Sequence, residues 1–125
     1  MNGDRLLLDT NAFIYFFEGR RKITDLVIQT PVIYYSVISK IELLSSSHLS
    51  ADEVAQIQNF LALCQQVNLN AKIIDQTIAL RQSYRFKIPD AIIIASALNL
   101  NVPLASADTA FRKASGLTLV TDILT

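Results

Sequence analysis

The chain has 125 residues, 51% hydrophobic and 18% charged, a balance typical of one folded domain rather than of a disordered segment. Eleven basic and eleven acidic residues give a net charge of zero, which neither requires nor excludes a nucleic-acid partner. The lone Cys64 excludes a disulfide framework, and the lone His48 excludes a mechanism that needs two histidines. Because the sequence has no secretory signal and no apolar run of membrane-spanning length, we expect a cytoplasmic protein.

Short apolar and β-branched runs alternate with helical patterns along the whole chain. The runs RLLLD, PVIYYS, VNL, VPLAS and LTLV predict strands at 5–9, 31–36, 67–69, 102–106 and 117–120. Apolar periodicity predicts helices at 11–19, 24–30, 37–46, 50–66, 70–85, 89–100 and 108–115. Strands that alternate with helices predict an α/β fold, here one domain over residues 1–125, with a mainly parallel sheet covered on both faces.

The boundaries of several helices carry capping signals. Ser50 and Glu53 have the spacing of a capping box, and Thr24 is a candidate N-cap. Gly19 and Gly116 are expected to end the helices that precede them.

Four acidic residues fall where this topology would bring them to one edge of the sheet. Asp9 ends the first strand, and Asp108 follows the fourth. Asp90 lies beside Pro89 in the first turn of a helix, and Glu42 lies a turn or more into the helix after the second strand. Since ligands of parallel sheets bind beyond the carboxyl ends of the strands, we predict that the four carboxylates converge.

Each acid also has a purely structural interpretation. Asp108 has the position of an N-cap, Asp90 that of a charge complementing a helix dipole, and Asp9 that of a turn former. Glu42 has the alternative of a solvated residue on an amphipathic helix. Its apolar neighbours argue against that alternative: they are Ile38, Ile41, Leu43 and Leu44.

Converging carboxylates would repel one another by several kcal/mol, as an order of magnitude, in a low-dielectric cleft. A divalent cation removes that penalty, and Mg²⁺ and Mn²⁺ prefer oxygen ligands. The acidic set therefore predicts a metal site rather than a structural cluster.

Four segments in order, LLLDTNAFIY, SVISKIELL, IPDAIIIASAL and ASADTAF, resemble the acidic motifs of PIN domains. They are most similar to those of the VapC-type ribonuclease toxins of bacterial toxin–antitoxin pairs. The resemblance spans nearly the whole chain. It implies a three-layer α/β/α fold and Mg²⁺- or Mn²⁺-dependent endonuclease activity on RNA. Carried over by position, it implies a catalytic and metal-binding quartet of Asp9, Glu42, Asp90 and Asp108.

The same motifs imply supporting polar residues around the quartet. Thr10 corresponds to the family's small polar residue after the first Asp, and Asn11 completes that motif. Ser39 corresponds to the hydroxyl residue one turn before the Glu. Ser106 stands where the family usually has Thr, and it keeps the hydroxyl.

The expected chemistry is attack of a metal-activated water on phosphorus, with the metal offsetting charge on the phosphoryl oxygens. Asp9 and Asp90 are expected as primary metal ligands, with Glu42 and Asp108 completing the shell or helping to deprotonate the water. The candidate RNA-binding cations are Arg81, Arg85, Lys87 and Arg112. Arg81 and Arg85, four residues apart, are expected on one helix face. A second basic cluster at 20–22 and the aromatic Tyr15 and Phe16 are weaker candidates, the aromatics being more typical of core or interface packing.

The resemblance also implies a homodimer and a small antitoxin partner. We expect the antitoxin to lay an apolar helix in the groove beside NAFIYFF, covering Phe13, Tyr15 or Phe16. Its Arg or Lys would pair with the acidic cleft. Two alternatives stay open: a PIN-like binding module without catalysis, and a receiver-like signalling domain that binds Mg²⁺.

Overall fold

The computed structural model describes residues 3–125 and contains a parallel five-stranded sheet in the order β3-β2-β1-β4-β5. The strands are β1 Arg5–Leu8, β2 Val32–Ser36, β3 Gln65–Val67, β4 Leu104–Ala105 and β5 Leu119–Val120. The helices are α1 Thr10–Phe17, α2 Arg21–Gln29, α3 Val37–Leu44, α4 Ala51–Ala62, α5 Ala71–Ser83 and α6 Ile88–Leu100. A 3-10 helix, Thr109–Lys113, lies between β4 and β5.

Helices cover the sheet on both faces, as the sequence predicted. Successive side chains of a strand point to opposite faces, so Leu6 and Leu8 join one apolar cluster and Leu7 joins the other. The first cluster includes Phe13 of α1, and the second includes Ile94 of α6, both fully buried. These two clusters form the core of a three-layer α/β/α sandwich.

Several of the predicted boundaries need correction. Thr24 is inside α2 rather than its N-cap, because its hydroxyl donates to the Arg20 carbonyl at 2.7 Å. The strand placed at 67–69 is β3, Gln65–Val67, because α4 ends at Ala62 and the chain then pairs with β2. The helix placed at 108–115 is the shorter 3-10 helix.

The capping box at Ser50 and Glu53 is confirmed, with both reciprocal hydrogen bonds present. Gly19 and Gly116 both have positive φ angles, +76° and +83°, a conformation that glycine adopts without steric cost. They allow the chain to turn after α1 and after the 3-10 helix.

The C-terminal segment is fastened to the start of α2. Lys22 pairs with Asp122 at 2.7 Å, its backbone N–H donates to the Thr125 carbonyl, and Ile123 is fully buried. Among residues 3–125, no helix combines the length and the apolar character that crossing a membrane would take.

Candidate functional site

The carboxyl ends of β1 and β4 place two of the four acids side by side. Leu8 and Ala105 are partners in the parallel ladder, and the N–H of Asp9 donates to the Ala105 carbonyl at 3.1 Å. Asp9 therefore follows β1 at the same edge at which Ser106 and then Asp108 follow β4. Both acids also act as N-caps, Asp9 of α1 and Asp108 of the 3-10 helix.

The other two acids reach this edge from helices. Asp90 lies in the first turn of α6, next to Pro89, and Glu42 lies in the second turn of α3. The charges of Asp90 and Asp108 act on Asp9, and those of Asp108 and Glu42 act on Asp90. The structure thus brings all four acids into one electrostatic cluster, which we call the acidic cluster.

Burial and mutual repulsion make ionisation of the inner pair unfavourable. Asp9 is 7% exposed, and its pKa is raised to about 6, first by burial and then by the charges of Asp90 and Asp108. The Ser106 hydroxyl and the Ala12 N–H, 2.7 Å from Oδ1 of Asp9, act in the opposite direction. Burial, with Asp108 and Glu42, also raises the pKa of Asp90, while Lys87 opposes that shift.

The outer pair of the acidic cluster is exposed. Asp108 and Glu42 both lie at the surface, and the expectation that apolar neighbours would bury Glu42 is wrong. Its neighbour Ile41 is itself 56% exposed, because α3 turns only one side toward the core. The acidic cluster therefore has a buried inner side and a solvent-facing outer side.

Hydroxyl groups link the acids to the core. Oγ1 of Thr10 donates to Oε1 of Glu42 at 2.6 Å and lies 2.9 Å from the Ser39 hydroxyl. Ser106, fully buried, accepts from the N–H of Asp108 at 3.1 Å. Asn11 is exposed in the first turn of α1.

The side chains are not arranged as a finished coordination shell. In the part of the chain that the structure describes, no three His, Cys, Asp or Glu side chains are placed to hold a metal ion. Oδ1 of Asp9 is engaged in capping α1, and Oε1 of Glu42 accepts from Thr10. Each of these two carboxylates keeps a second oxygen that a cation could use, and exposed Asp108 has the room to rotate toward it.

The family model of the PIN domain matches residues 6–117, nearly the whole chain. The chain belongs to the PIN-domain family. The resemblance predicted from the acidic motifs is confirmed, and so is the α/β/α fold that it implied. No curated protein sequence matches this PIN domain.

Solved structures similar to this PIN domain include a toxin–antitoxin complex from Klebsiella pneumoniae. It is 28% identical, with a TM-score of 0.80, and covers 93% of this chain and 96% of that chain. VapBC-1 from nontypeable Haemophilus influenzae is 24% identical, with a TM-score of 0.77 over the same shares. VapBC2 from Rickettsia felis, bound to a DNA fragment from its promoter, is 20% identical, with a TM-score of 0.80. The match covers 93% of this chain and 97% of that chain.

The candidate RNA-binding residues of this PIN domain have different surroundings. Arg81 and Arg85 do not share a helix face, because α5 ends at Ser83 and Tyr84 is extended. Arg112 donates to the Thr121 hydroxyl at 3.1 Å. Lys87 is the candidate whose charge acts on the acidic cluster, through Asp90.

The basic cluster at 20–22 is largely engaged in structural contacts. Arg20 pairs with Glu18 at 2.8 Å, donates to the Leu124 carbonyl, and lies over the Tyr15 ring. Lys22 holds Asp122. Phe16 stacks on Phe60 with ring centroids 4.5 Å apart, so the aromatics of α1 serve packing.

Two surface grooves flank the α-helical layers. The first, the α1–α3–α4 groove, has a volume of about 420 Å³, with an apolar floor that includes Ile14, Phe17 and Ile57. Its acidic rim is formed by Glu18, Glu42 and Glu53. The second, the α5–α6 groove, is lined by Leu69, Ile74, Ile78, Ile88 and others, and measures about 410 Å³.

Sequence reasoning missed the acidic rim and the second groove. The sequence predicts the capping-box role of Glu53, but its place on the groove depends on how α4 packs against the neighbouring helices. The apolar residues of α5 at 74 and 78 lie four apart, which was the available signal for a second apolar face.

Proposed function

We propose that this PIN domain is an endoribonuclease that hydrolyses RNA phosphodiester bonds with the help of Mg²⁺ or Mn²⁺. The observation that carries the proposal is the convergence of Asp9, Glu42, Asp90 and Asp108 from four separate segments. Membership of the PIN family supports it.

The residues present fit a hard divalent cation. All four charged groups offer carboxylate oxygens, the donors that Mg²⁺ and Mn²⁺ prefer. At neutral pH Asp9 is a buried anion, although burial and the charges of two neighbouring acids both oppose its ionisation. Lys87 is the basic residue whose charge favours ionisation of Asp90. A bound cation would offset that cost, and a soft or thiolate-seeking metal has no partner in this set.

Each acid has a role that follows from its position. Asp9 and Asp90, on the buried side, would be the primary ligands, and Glu42 and Asp108 would complete the shell or accept a proton from the attacking water. When bound, the cation would lower the pKa of water and offset charge on the phosphoryl oxygens. Ser106 orients Asp9, and Thr10 orients Glu42.

The first prediction is that purified protein cuts single-stranded RNA in Mg²⁺ or Mn²⁺ and stops in EDTA. Replenishing the metal should restore cleavage. A copurifying nuclease is controlled for by Asp90→Asn prepared in the same way. Cleavage that survives thorough chelation would exclude this mechanism, and an inert but folded protein would favour the binding-module alternative.

The receiver-like alternative is not supported by the topology. Receiver domains have the strand order 2-1-3-4-5, with the first strand beside the third. Here β1 lies between β2 and β4. The acidic cluster is thus built on the PIN arrangement.

We further propose that the protein is the toxin of a toxin–antitoxin pair. The similarity to the Klebsiella pneumoniae toxin–antitoxin complex supports this role. Inhibition would be by a small antitoxin that lays an apolar helix in the α1–α3–α4 groove and extends a basic residue toward Glu42.

The groove changes one detail of the expected interface. Phe13 is fully buried in the protein's own core, so a partner cannot cover it, and Tyr15 and Phe16 pack against the first apolar cluster. Ile14 and Phe17 are the α1 residues that line the groove. The acidic rim favours a partner helix with Lys or Arg beside its apolar face.

The test is expression of the chain alone and together with the small protein encoded beside it. Toxicity that is rescued by the neighbour, and abolished by Asp9→Asn, is the expected result. Ile14→Glu in the groove should weaken the complex, whereas Ile28→Glu, at a 75% exposed position on α2, should not. Inhibition should weaken as metal concentration rises. Harmless expression of an active nuclease would contradict the toxin role alone.

A further inference from the structure

Two successive hydrogen bonds between hydroxyl groups and a carboxylate connect the buried side of α3 to Glu42. Ser39 is fully buried, and its Oγ lies 2.9 Å from Oγ1 of Thr10. Thr10, the first residue of α1, donates in turn to Oε1 of Glu42 at 2.6 Å. The pair of hydrogen bonds thus crosses from one helix to another and back.

The direction of both hydrogen bonds follows from counting protons. An ionised carboxylate only accepts, so the single hydroxyl proton of Thr10 points to Glu42. Ser39 must therefore be the donor to Thr10. The 2.6 Å distance lies in the range of charge-assisted O–H···O⁻ bonds, which are the stronger class.

Glu42 needs such support more than the other acids do. Its side chain is exposed on a flexible stem, yet its charge acts on Asp90. A long side chain that is ordered only on ligand binding contributes less affinity, because its rotamer entropy is lost at that moment.

We propose that Ser39 is a positioning residue, which through Thr10 holds the Glu42 carboxylate beside Asp90 and so raises the affinity of the acidic cluster for a divalent cation. The inference rests on the proposed metal-dependent function. Ser39 does not contact the cation or RNA in this scheme; it fixes the proton direction of Thr10, and Thr10 fixes Glu42.

The test is a double-mutant cycle read by Mn²⁺ affinity, with free Mn²⁺ measured by electron paramagnetic resonance. Ser39→Ala should weaken binding by about 2- to 10-fold and Thr10→Val by about tenfold or more. Because Ser39 acts only through Thr10, the double variant should bind no more weakly than Thr10→Val. Thr10→Ser, which keeps the hydroxyl, should bind like the wild type.

Ser96→Ala is the matched control. Ser96 is as buried as Ser39, but its hydroxyl donates to the Ile92 carbonyl of its own helix at 2.7 Å. Its loss should leave Mn²⁺ affinity unchanged. In the RNA assay, excess Mn²⁺ should restore the kcat of Ser39→Ala, which general structural damage would not allow. Unchanged affinity in Ser39→Ala, or losses that simply add, would overturn the proposal.

Failure of the proposed function would look different. A wild type that neither binds Mn²⁺ nor cuts RNA would overturn the function, and urea unfolding in EDTA would then decide the positioning role. Coupling between Ser39→Ala and Glu42→Ala that disappears in a Thr10→Val background supports it. Zero coupling between the two substitutions while Thr10 is unchanged, or coupling that persists in Thr10→Val, overturns it.

Discussion

Burial of Asp9 raises its pKa from 3.8 to about 6, so the folded state binds this proton more tightly than the unfolded chain does. Ionised Asp9 therefore lowers the free energy of unfolding by about 3 kcal/mol above pH 6, and this cost shrinks as the pH falls from 6 and disappears below 3.8. The residue that the proposed chemistry needs most is thus a source of instability in the metal-free protein.

We predict that Asp9→Asn is more stable than the wild type in EDTA at pH 7.5, by up to about 3 kcal/mol. The difference should shrink to nothing at about pH 3, because Asp9 is then protonated in both states. Urea unfolding at the two pH values measures it. Asp25→Asn, at an exposed position on α2, serves as the control and should show no such pH-dependent gain. Lower stability of Asp9→Asn at both pH values would contradict the electrostatic account.

Loss of either inner carboxylate should abolish cleavage while leaving the fold intact. Asp9→Asn and Asp90→Asn each keep the side-chain shape and remove a charged ligand, so RNA cleavage should fall at least about a hundredfold. Circular dichroism should match the wild type, and Asp25→Asn should cut RNA normally. Near-normal cleavage by either variant would mean that the active site lies elsewhere.

At single residues, the sequence located the acids, and the family resemblance named hydroxyl residues near them, but neither gave the burial of each acid or the hydrogen bonds that it makes. Asp9 and Asp108 could be placed because each follows an apolar run that had to be a buried strand, and parallel strands end at one edge. The exposure of Glu42 depends on how α3 is rotated against the core. The Ser39–Thr10 contact joins two helices and leaves no periodic signal in either.

At the scale of elements, α4 forms one wall of the α1–α3–α4 groove and depends on its capping box. Ser50→Ala removes the acceptor of the Glu53 N–H, so the free energy of unfolding should fall by about 1 kcal/mol. Urea unfolding measures the change, and exposed Ser47→Ala is the control. RNA cleavage should be unaffected, since Ser50 is outside the acidic cluster. A null effect on stability would mean that α4 frays in solution.

Most strands and helices could be predicted from periodicity, and the errors have identifiable physical causes. The helix expected to reach Arg85 ends at Ser83, because Tyr84 and Phe86 turn inward and Phe86 packs against Phe111. Helical periodicity near the end of an element cannot reveal that tertiary packing replaces the last turn. The start of β3 similarly follows from pairing with β2.

At the scale of the whole molecule, the α5–α6 groove leaves apolar surface in contact with water. Ile74, Ile78 and Ile88 are 46%, 53% and 55% exposed there. Contiguous apolar patches of this kind usually mark interaction sites. The homodimer expected from the sequence stays a prediction, and this patch is where we expect its interface.

We predict that the protein is a dimer and that Ile78→Glu shifts it toward monomer, because a buried charge without a partner opposes association. Light scattering coupled to size exclusion measures the mass. Leu63→Glu, at an 83% exposed position outside both grooves, should leave the mass unchanged. A monomeric wild type at micromolar concentration would contradict the prediction.

The central place of β1 has a consequence for the order of synthesis. β1 pairs with β2 and with β4, so the neighbour that sets Ser106 and Asp108 beside Asp9 leaves the ribosome long after β1 does. Such pairings, distant along the chain, form late in folding. A nascent or prematurely terminated chain that stops before β4 carries Asp9, Glu42 and Asp90 without Asp108. On the proposed function, the ribosome would have to translate past Asp108 before the product could attack RNA in the polysome that made it.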